Sequence, residues 1–91
     1  MSSAGSYILI VEDSMDIQDL IRVLFQSEDF NVKTASEGNE ALQKLRSNDE
    51  LPFLILLDLM MPGMDGFQFR KEQQGDPLLA KIPVIVMTAD S

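Results

Sequence analysis

Three stretches of the chain, Tyr7 to Val11 (Y-I-L-I-V), Phe53 to Leu57 (F-L-I-L-L) and Val84 to Met87 (V-I-V-M), are apolar at every position. Such runs are short for helices and too continuous for strands with a wet face, so they predict strands covered on both sides, as in parallel sheets. Phe30 to Ala35 (F-N-V-K-T-A) alternates instead and carries β-branched residues, which predicts a half-exposed strand at a sheet edge. Between these runs the period changes. Ile17, Leu20, Ile21 and Leu24 recur at i, i+3, i+4 and i+7, one face of a helix. Asp13 or Ser14 can cap that helix, and Asp16 lies in its first turn, where the dipole favours negative charge. It should fade near Glu28-Asp29, since acids are unfavourable at a helix C-terminus. A polar turn, Ser36-Glu37-Gly38, leads into a second helix through Ala41, Leu42 and Leu45, which exits through Ser47 to Glu50 before Pro52. Phe67 to Gln74 reads as a third, short helix closed by Gly75-Asp76-Pro77, and Lys81-Ile82-Pro83 introduces the last strand.

The resulting pattern, β-α-β-α-β-α-β, implies an α/β fold: a parallel sheet with helical crossovers on both faces. The chain shows no internal repeat, linker or low-complexity segment, and residues 1–91 are expected to form one domain. Open sheets of this kind bind ligands outside the carboxyl ends of their strands. At those ends the sequence places Glu12 and Asp13, then Asp58, then Thr88, with a Pro62-Gly63 turn just beyond Asp58. If neighbouring strands run parallel and in register, these side chains meet in one shallow pocket. At an effective dielectric of about 20, two like charges about 4 Å apart cost roughly 4 kcal/mol, less when exposed. A cluster of carboxylates at that cost is usually built for a cation, and oxygen-only ligands favour Mg²⁺. Taken singly, Glu12 or Asp13 reads more readily as a helix cap or a solvated loop residue, and Asp58 is evenly balanced between the two readings. Taken together with Thr88 they favour a site, because one structural role does not cover three strand ends. Met60, Met61 and Met64 read as packing or loop filler, and Asp65 as a cap for the third helix.

Composition narrows the chemistry. The net charge of −8 argues against a nucleic-acid-binding surface. There is no cysteine and no histidine, which removes thiolate chemistry, disulfides, the commonest general base and the commonest transition-metal ligand. Met1 to Ser6 lacks a basic n-region, Tyr7 to Val11 is too short for a signal-peptide core, and no apolar run could span a bilayer. The chain is expected to be soluble and cytoplasmic, with no membrane partner.

These motifs resemble the response-regulator receiver domain of two-component signalling, a flavodoxin-like fold of the chemotaxis type. The matching residues are I-L-I-V-E-D-S at the first strand, A-S-E-G-N-E-A-L into the second helix, L-I-L-L-D-L-M-M-P-G-M-D-G, and I-P-V-I-V-M-T-A, in the family's order and spacing across almost the whole chain. The resemblance implies strand order 2-1-3-4 with the site where that order reverses. It implies that Asp58 accepts a phosphoryl group from a phosphohistidine on a histidine kinase or a histidine phosphotransfer protein. Asp13 would bind Mg²⁺ directly and Glu12 directly or through water, with Asp58 and the backbone carbonyl of Met60 completing the protein ligands. Thr88 would hydrogen-bond a phosphoryl oxygen and swing inward on activation. The small Ala89 would leave room for that group, and Pro62 and Gly63 would shape the adjoining loop. The module would signal rather than turn over substrate.

The chain departs from the family in stopping after the fourth strand, without the last helix-strand-helix and without the lysine carried beyond Thr88. None of Lys33, Lys44, Lys71 or Lys81 occupies a matching position. Self-phosphorylation and dephosphorylation are therefore expected to be impaired. The fourth strand should be an open edge apolar on both faces, and the first helix should expose an apolar patch; a homodimer through that edge is the expectation. The alternative function is a pseudo-receiver or fragment acting as a dimerising or interaction unit without phosphotransfer. A haloacid-dehalogenase-like phosphatase would resemble D-x-D after its first strand, whereas Asp58 is followed two residues on by Met60. Nucleotide-binding glycine motifs are absent.

Overall fold

The fold is described for residues 7–47, 50–59 and 66–87 of a computed structural model. Its elements run in the order expected: β1 (Ile8–Val11), α1 (Met15–Gln26), β2 (Val32–Ala35), α2 (Gly38–Ser47), β3 (Leu54–Asp58), α3 (Gly66–Gln74) and β4 (Val84–Met87). The four strands form one parallel sheet in the order β2-β1-β3-β4. β1 and β3 lie in the middle and are buried almost throughout, as their unbroken apolar runs require. β2 lies at an edge and alternates in burial, as its mixed sequence requires.

The sheet separates two apolar layers of unequal thickness. On one side Leu9, Val11, Ile55 and Leu57 pack with Ala41, Leu42 and Leu45 of α2 and with Phe69 of α3. Leu79 and Ile82, on the way into β4, complete that layer. Gln73, fully buried in α3, donates from Nε2 to the carbonyls of Leu79 (2.8 Å) and Ile82 (3.1 Å), and so ties the approach to β4 onto the helix. On the other side the buried apolar residues, among those described, are Ile8, Ile10 and Leu56, with Ile21 and Phe25 of α1 laid over them.

The face of α1 differs from the one its apolar spacing suggests. Ile21 is half-buried, but Leu20 and Leu24 are 60% and 58% exposed, and Ile17 is exposed as well. The helix is rotated so that Gln18, Ile21 and Phe25 face the sheet, and Gln18 is its one buried residue. Three residues of the apolar stripe, Ile17, Leu20 and Leu24, are thus exposed while Gln18 turns inward, where it finds backbone carbonyls to bind. The expected exposed apolar patch on α1 is present among the described residues.

Ser14, not Asp13, caps α1, its Oγ accepting from the Ile17 N–H at 3.4 Å. The helix ends at Gln26, and Asp29 then takes a positive φ of 69° that turns the chain back. Phe30 thereby reaches Phe25 edge-on, with ring centroids 5.9 Å apart, and Phe53 at 5.8 Å. At α2 the Ser36 N–H donates to the Glu40 carboxylate at 2.8 Å, and the Asn39 N–H donates to that of Glu37 at 3.1 Å. Acceptors for N–H groups at a helix start are thus supplied by acids from the preceding turn and the first turn.

Candidate metal and phosphoryl site

Register brings the acidic side chains together. Val11 is paired with Leu57, so the residues that follow, Glu12 and Asp58, leave the two central strands side by side. Asp58 is itself the last residue of β3 and is paired with Met87 on its other flank. The two-residue pleat puts Asp58 on the side of Leu56, the layer that α1 covers. One carboxylate oxygen from each of Glu12, Asp13 and Asp58 lies within 4.8 Å of the others. Glu12 and Asp58 are buried and Asp13 is exposed, so the cluster has two anchored members and one facing solvent.

The donor set suits a hard cation. At Mg²⁺–oxygen distances of 2.0–2.1 Å, three oxygens on one ion include at least two neighbouring pairs about 2.9 Å apart, so carboxylates spread over up to 4.8 Å would have to draw together or reach the ion through water. Oxygen is the only ligand atom these residues offer, which is the preference of Mg²⁺ and not of zinc or copper.

The electrostatics carry the mark of crowding. Burial is the largest cause pushing the Glu12 carboxyl above its ordinary range. The Ser14 N–H, which donates to Glu12 Oε2 at 3.0 Å, opposes this, while the charge of Asp58 and hydrogen bonds with Asp13 and Asp58 add to it. Two acids sharing a small volume hold a proton more tightly than either would alone.

Asp13, Glu12 and Asp58 thus come together as the sequence suggests. Met60, Thr88 and Ala89, together with Met61, Pro62, Gly63, Met64 and Asp65, fall outside the described residues. A family profile described as "Response regulator receiver domain" matches residues 8–91, nearly the whole chain. The chain belongs to the response-regulator receiver domain family. The expected topology, four parallel strands in the order 2-1-3-4 with helices on both faces, is the receiver's flavodoxin-like fold.

Relatives agree. The chain is 38% identical over 84 residues to the transcriptional regulatory protein CpxR homolog of Haemophilus influenzae, covering 92% of this chain and 34% of that one. It is 40% identical over 82 residues to the response regulator PleD of Caulobacter vibrioides, covering 90% of this chain and 18% of that one. The receiver stretch therefore spans about a third or less of these regulators. Among solved structures, the N-terminal domain of a response regulator receiver protein from Methanoculleus marisnigri superposes with a TM-score of 0.86 at 35% identity, over 94% of this chain and 68% of that one. The chemotaxis protein CheY4 of Vibrio cholerae gives 0.84 at 29% identity, over 94% and 70%.

Two residues that frame the receiver's carboxylates were not evident from the sequence. Gly66, the first residue of α3, has no room for a side chain: a Cβ there would lie 2.5 Å from Leu59 Cα and 2.8 Å from the Asp58 carbonyl oxygen. Its N–H donates to the Leu59 carbonyl at 3.0 Å, so α3 begins against the backbone that carries Asp58. The other residue is Gln18. A glycine opening a helix is a visible signal, whereas a glutamine beside an apolar stripe is not.

Proposed function

We propose that this receiver accepts a phosphoryl group on Asp58, with Mg²⁺ held by Glu12, Asp13 and Asp58 and by the Met60 carbonyl. The observation carrying this reading is the convergence of three carboxylates within 4.8 Å at the end of the central strands. A carboxylate is a weak nucleophile towards phosphorus unless attack is held in line and charge is neutralised. A Mg²⁺ held by Glu12, Asp13 and Asp58 would supply that neutralisation. Asp58, fixed in the β3 ladder, presents one oxygen to the phosphorus; the new O–P bond forms as the N–P bond of a phosphohistidine breaks, its electron pair leaving with the imidazole. These 91 residues contain no histidine, so the donor lies outside them, on a histidine kinase or a histidine phosphotransfer protein. Thr88 would donate to a phosphoryl oxygen and Ala89 would leave space beside it. A cytoplasmic setting fits this chemistry, and no helix in the described residues is long and apolar enough to cross a membrane.

The test is incubation with Mg²⁺ and acetyl phosphate or beryllofluoride, read by intact-protein mass spectrometry and by fluorine NMR. A single adduct is expected, lost in Asp58→Asn. Uptake by the 91 residues alone should be slow, because they lack the phosphoryl-pairing lysine the family carries; Lys44 is engaged with Glu40 at 3.2 Å and Lys33 lies over the Tyr7 ring. No adduct under any condition would favour the alternative, a pseudo-receiver acting as an interaction unit. A homodimer is part of that second reading and is compatible with the first. It is favoured by β4, whose outer side pairs with no other strand among the described residues and whose Ile85 and Val86 are exposed.

A further inference from the structure

Gln18 makes an unusual set of contacts for a helix residue. It is 4% exposed on a helix whose other residues are half-buried or exposed. Its Nε2 donates to the Glu12 carbonyl at 3.0 Å and approaches the Ala35 carbonyl at 3.4 Å. The Ala35 carbonyl also accepts from the Glu12 N–H at 3.0 Å. Glu12 is therefore held at every backbone polar group, its N–H by β2 and its carbonyl by α1. Its carboxylate is in turn fixed by the Ser14 N–H.

The Glu12 carbonyl belongs to the peptide that joins Glu12 to Asp13. The orientation of that peptide plane is set by one soft dihedral on each side, ψ of Glu12 and φ of Asp13, and the same two rotations set how the two side chains are directed relative to one another. An apolar residue at position 18 could pack α1 against the sheet but would leave this carbonyl buried and unpaired, which is costly. Rotating the peptide towards water would relieve that cost and would move both acids.

The geometry points to Gln18 as a positioning residue for the divalent cation: its amide locks the Glu12–Asp13 peptide so that the two carboxylates are already aimed at the ion that Asp58 shares. This rests on the metal reading given above. Partners that orient metal ligands without touching the metal commonly govern affinity by about tenfold or more. In Gln18→Met the side-chain volume is nearly kept and the two donors are lost.

Isothermal titration of Mg²⁺ into wild type, Gln18→Met and Asp58→Asn separates the possibilities, with urea unfolding of each run in parallel without metal. Wild type should bind, Asp58→Asn should bind far more weakly, and Gln18→Met should fold cooperatively with its dissociation constant raised about tenfold. If Gln18→Met loses stability yet binds Mg²⁺ as wild type does, Gln18 merely fastens the helix and the inference is overturned. If wild type itself shows no binding, the metal reading fails and takes this inference with it. A wild-type measurement covers the case in which the variant does not fold. The Gln18 side-chain amide resonances should shift during a Mg²⁺ titration in step with the Asp13 backbone amide, and side-chain resonances that stay fixed while Asp13 moves would overturn the assignment.

Discussion

Two glutamates in this chain respond to folding in opposite directions, Glu12 chiefly through burial and Glu40 chiefly through a backbone hydrogen bond. Glu12 is buried beside Asp58, and its carboxyl is raised; between its unfolded value of 4.5 and its folded value the native state binds the extra proton, so this group stabilises the fold as pH falls through that window. Glu40 is partly exposed and accepts from the Ser36 N–H, the largest cause of its lowered value; a smaller effect of burial opposes this, and Lys44 adds to it through a hydrogen bond and its charge. A depressed carboxyl contributes stability that is present above its unfolded value of 4.5 and lost as pH falls through the folded value. Glu40→Gln keeps an acceptor for Ser36 and removes the charge. At neutral pH it should lower stability by about 0.3–0.5 kcal/mol, the ordinary worth of a helix-surface ion pair. Urea midpoints measured across an acid series should show the gap closing as wild-type Glu40 protonates. A gap that stays constant into strong acid would show that shape, not charge, is what Glu40 contributes.

At the scale of elements, α1 is the instructive case. Its C-terminal end has no basic residue in the last turn, and Asp29 sits just beyond it in the left-handed region with its N–H on the Gln26 carbonyl at 3.0 Å. Asp tolerates that conformation better than most residues, but its charge faces the negative end of the helix dipole. Asp29→Asn keeps the tolerance and removes the charge, and should raise stability by about 0.3–0.5 kcal/mol. Asp29→Ala keeps the backbone problem without a polar side chain to ease it, and should lower stability by about 1 kcal/mol. Chemical denaturation of both variants checks the pair of signs. The strands, by contrast, were legible from the sequence, because an unbroken apolar run such as Val84 to Met87 admits few alternatives once its length excludes a helix. The carboxylates followed from them, since Glu12 and Asp58 are simply the first charges after two adjacent runs. The face of α1 was not legible. Leu20 and Leu24 match the helical period as well as Ile21 does, and only the carbonyls of Glu12 and Ala35, contributed by other elements, make Gln18 the residue that turns inward. Nor does any one-dimensional pattern distinguish Asp29 at positive φ from an ordinary acid after a helix.

At the scale of the molecule, the two edges of the sheet are treated differently by the sequence. The β2 edge reads V-K-T-A, and Lys33 and Thr34 make it a poor template for another strand. The β4 edge reads V-I-V-M with no charge, and Ile85 and Val86 are 53% and 45% exposed on opposite faces of the sheet. On the α1 side, Ile85 belongs to the same sheet face as the thin apolar layer, and Leu20, Val23 and Leu24 of α1 are exposed above it. Apolar area of this kind favours a second copy, with two β4 strands running antiparallel across a two-fold axis. The net charge of −8 on each chain opposes the same contact. Which effect wins depends on screening, because the Debye length falls from about 30 Å at 0.01 M salt to about 10 Å at 0.1 M. The dimer should therefore be favoured by added salt, opposite to an assembly held by ion pairs. Light scattering coupled to size-exclusion chromatography should show the dimer fraction rising with salt in wild type. In Ile85→Lys, which puts a charge on the exposed edge, the chain should remain monomeric at the same concentrations. A wild-type chain that stays monomeric at micromolar concentration in high salt would remove the β4 pairing, and would leave the proposal of phosphoryl acceptance at Asp58 untouched.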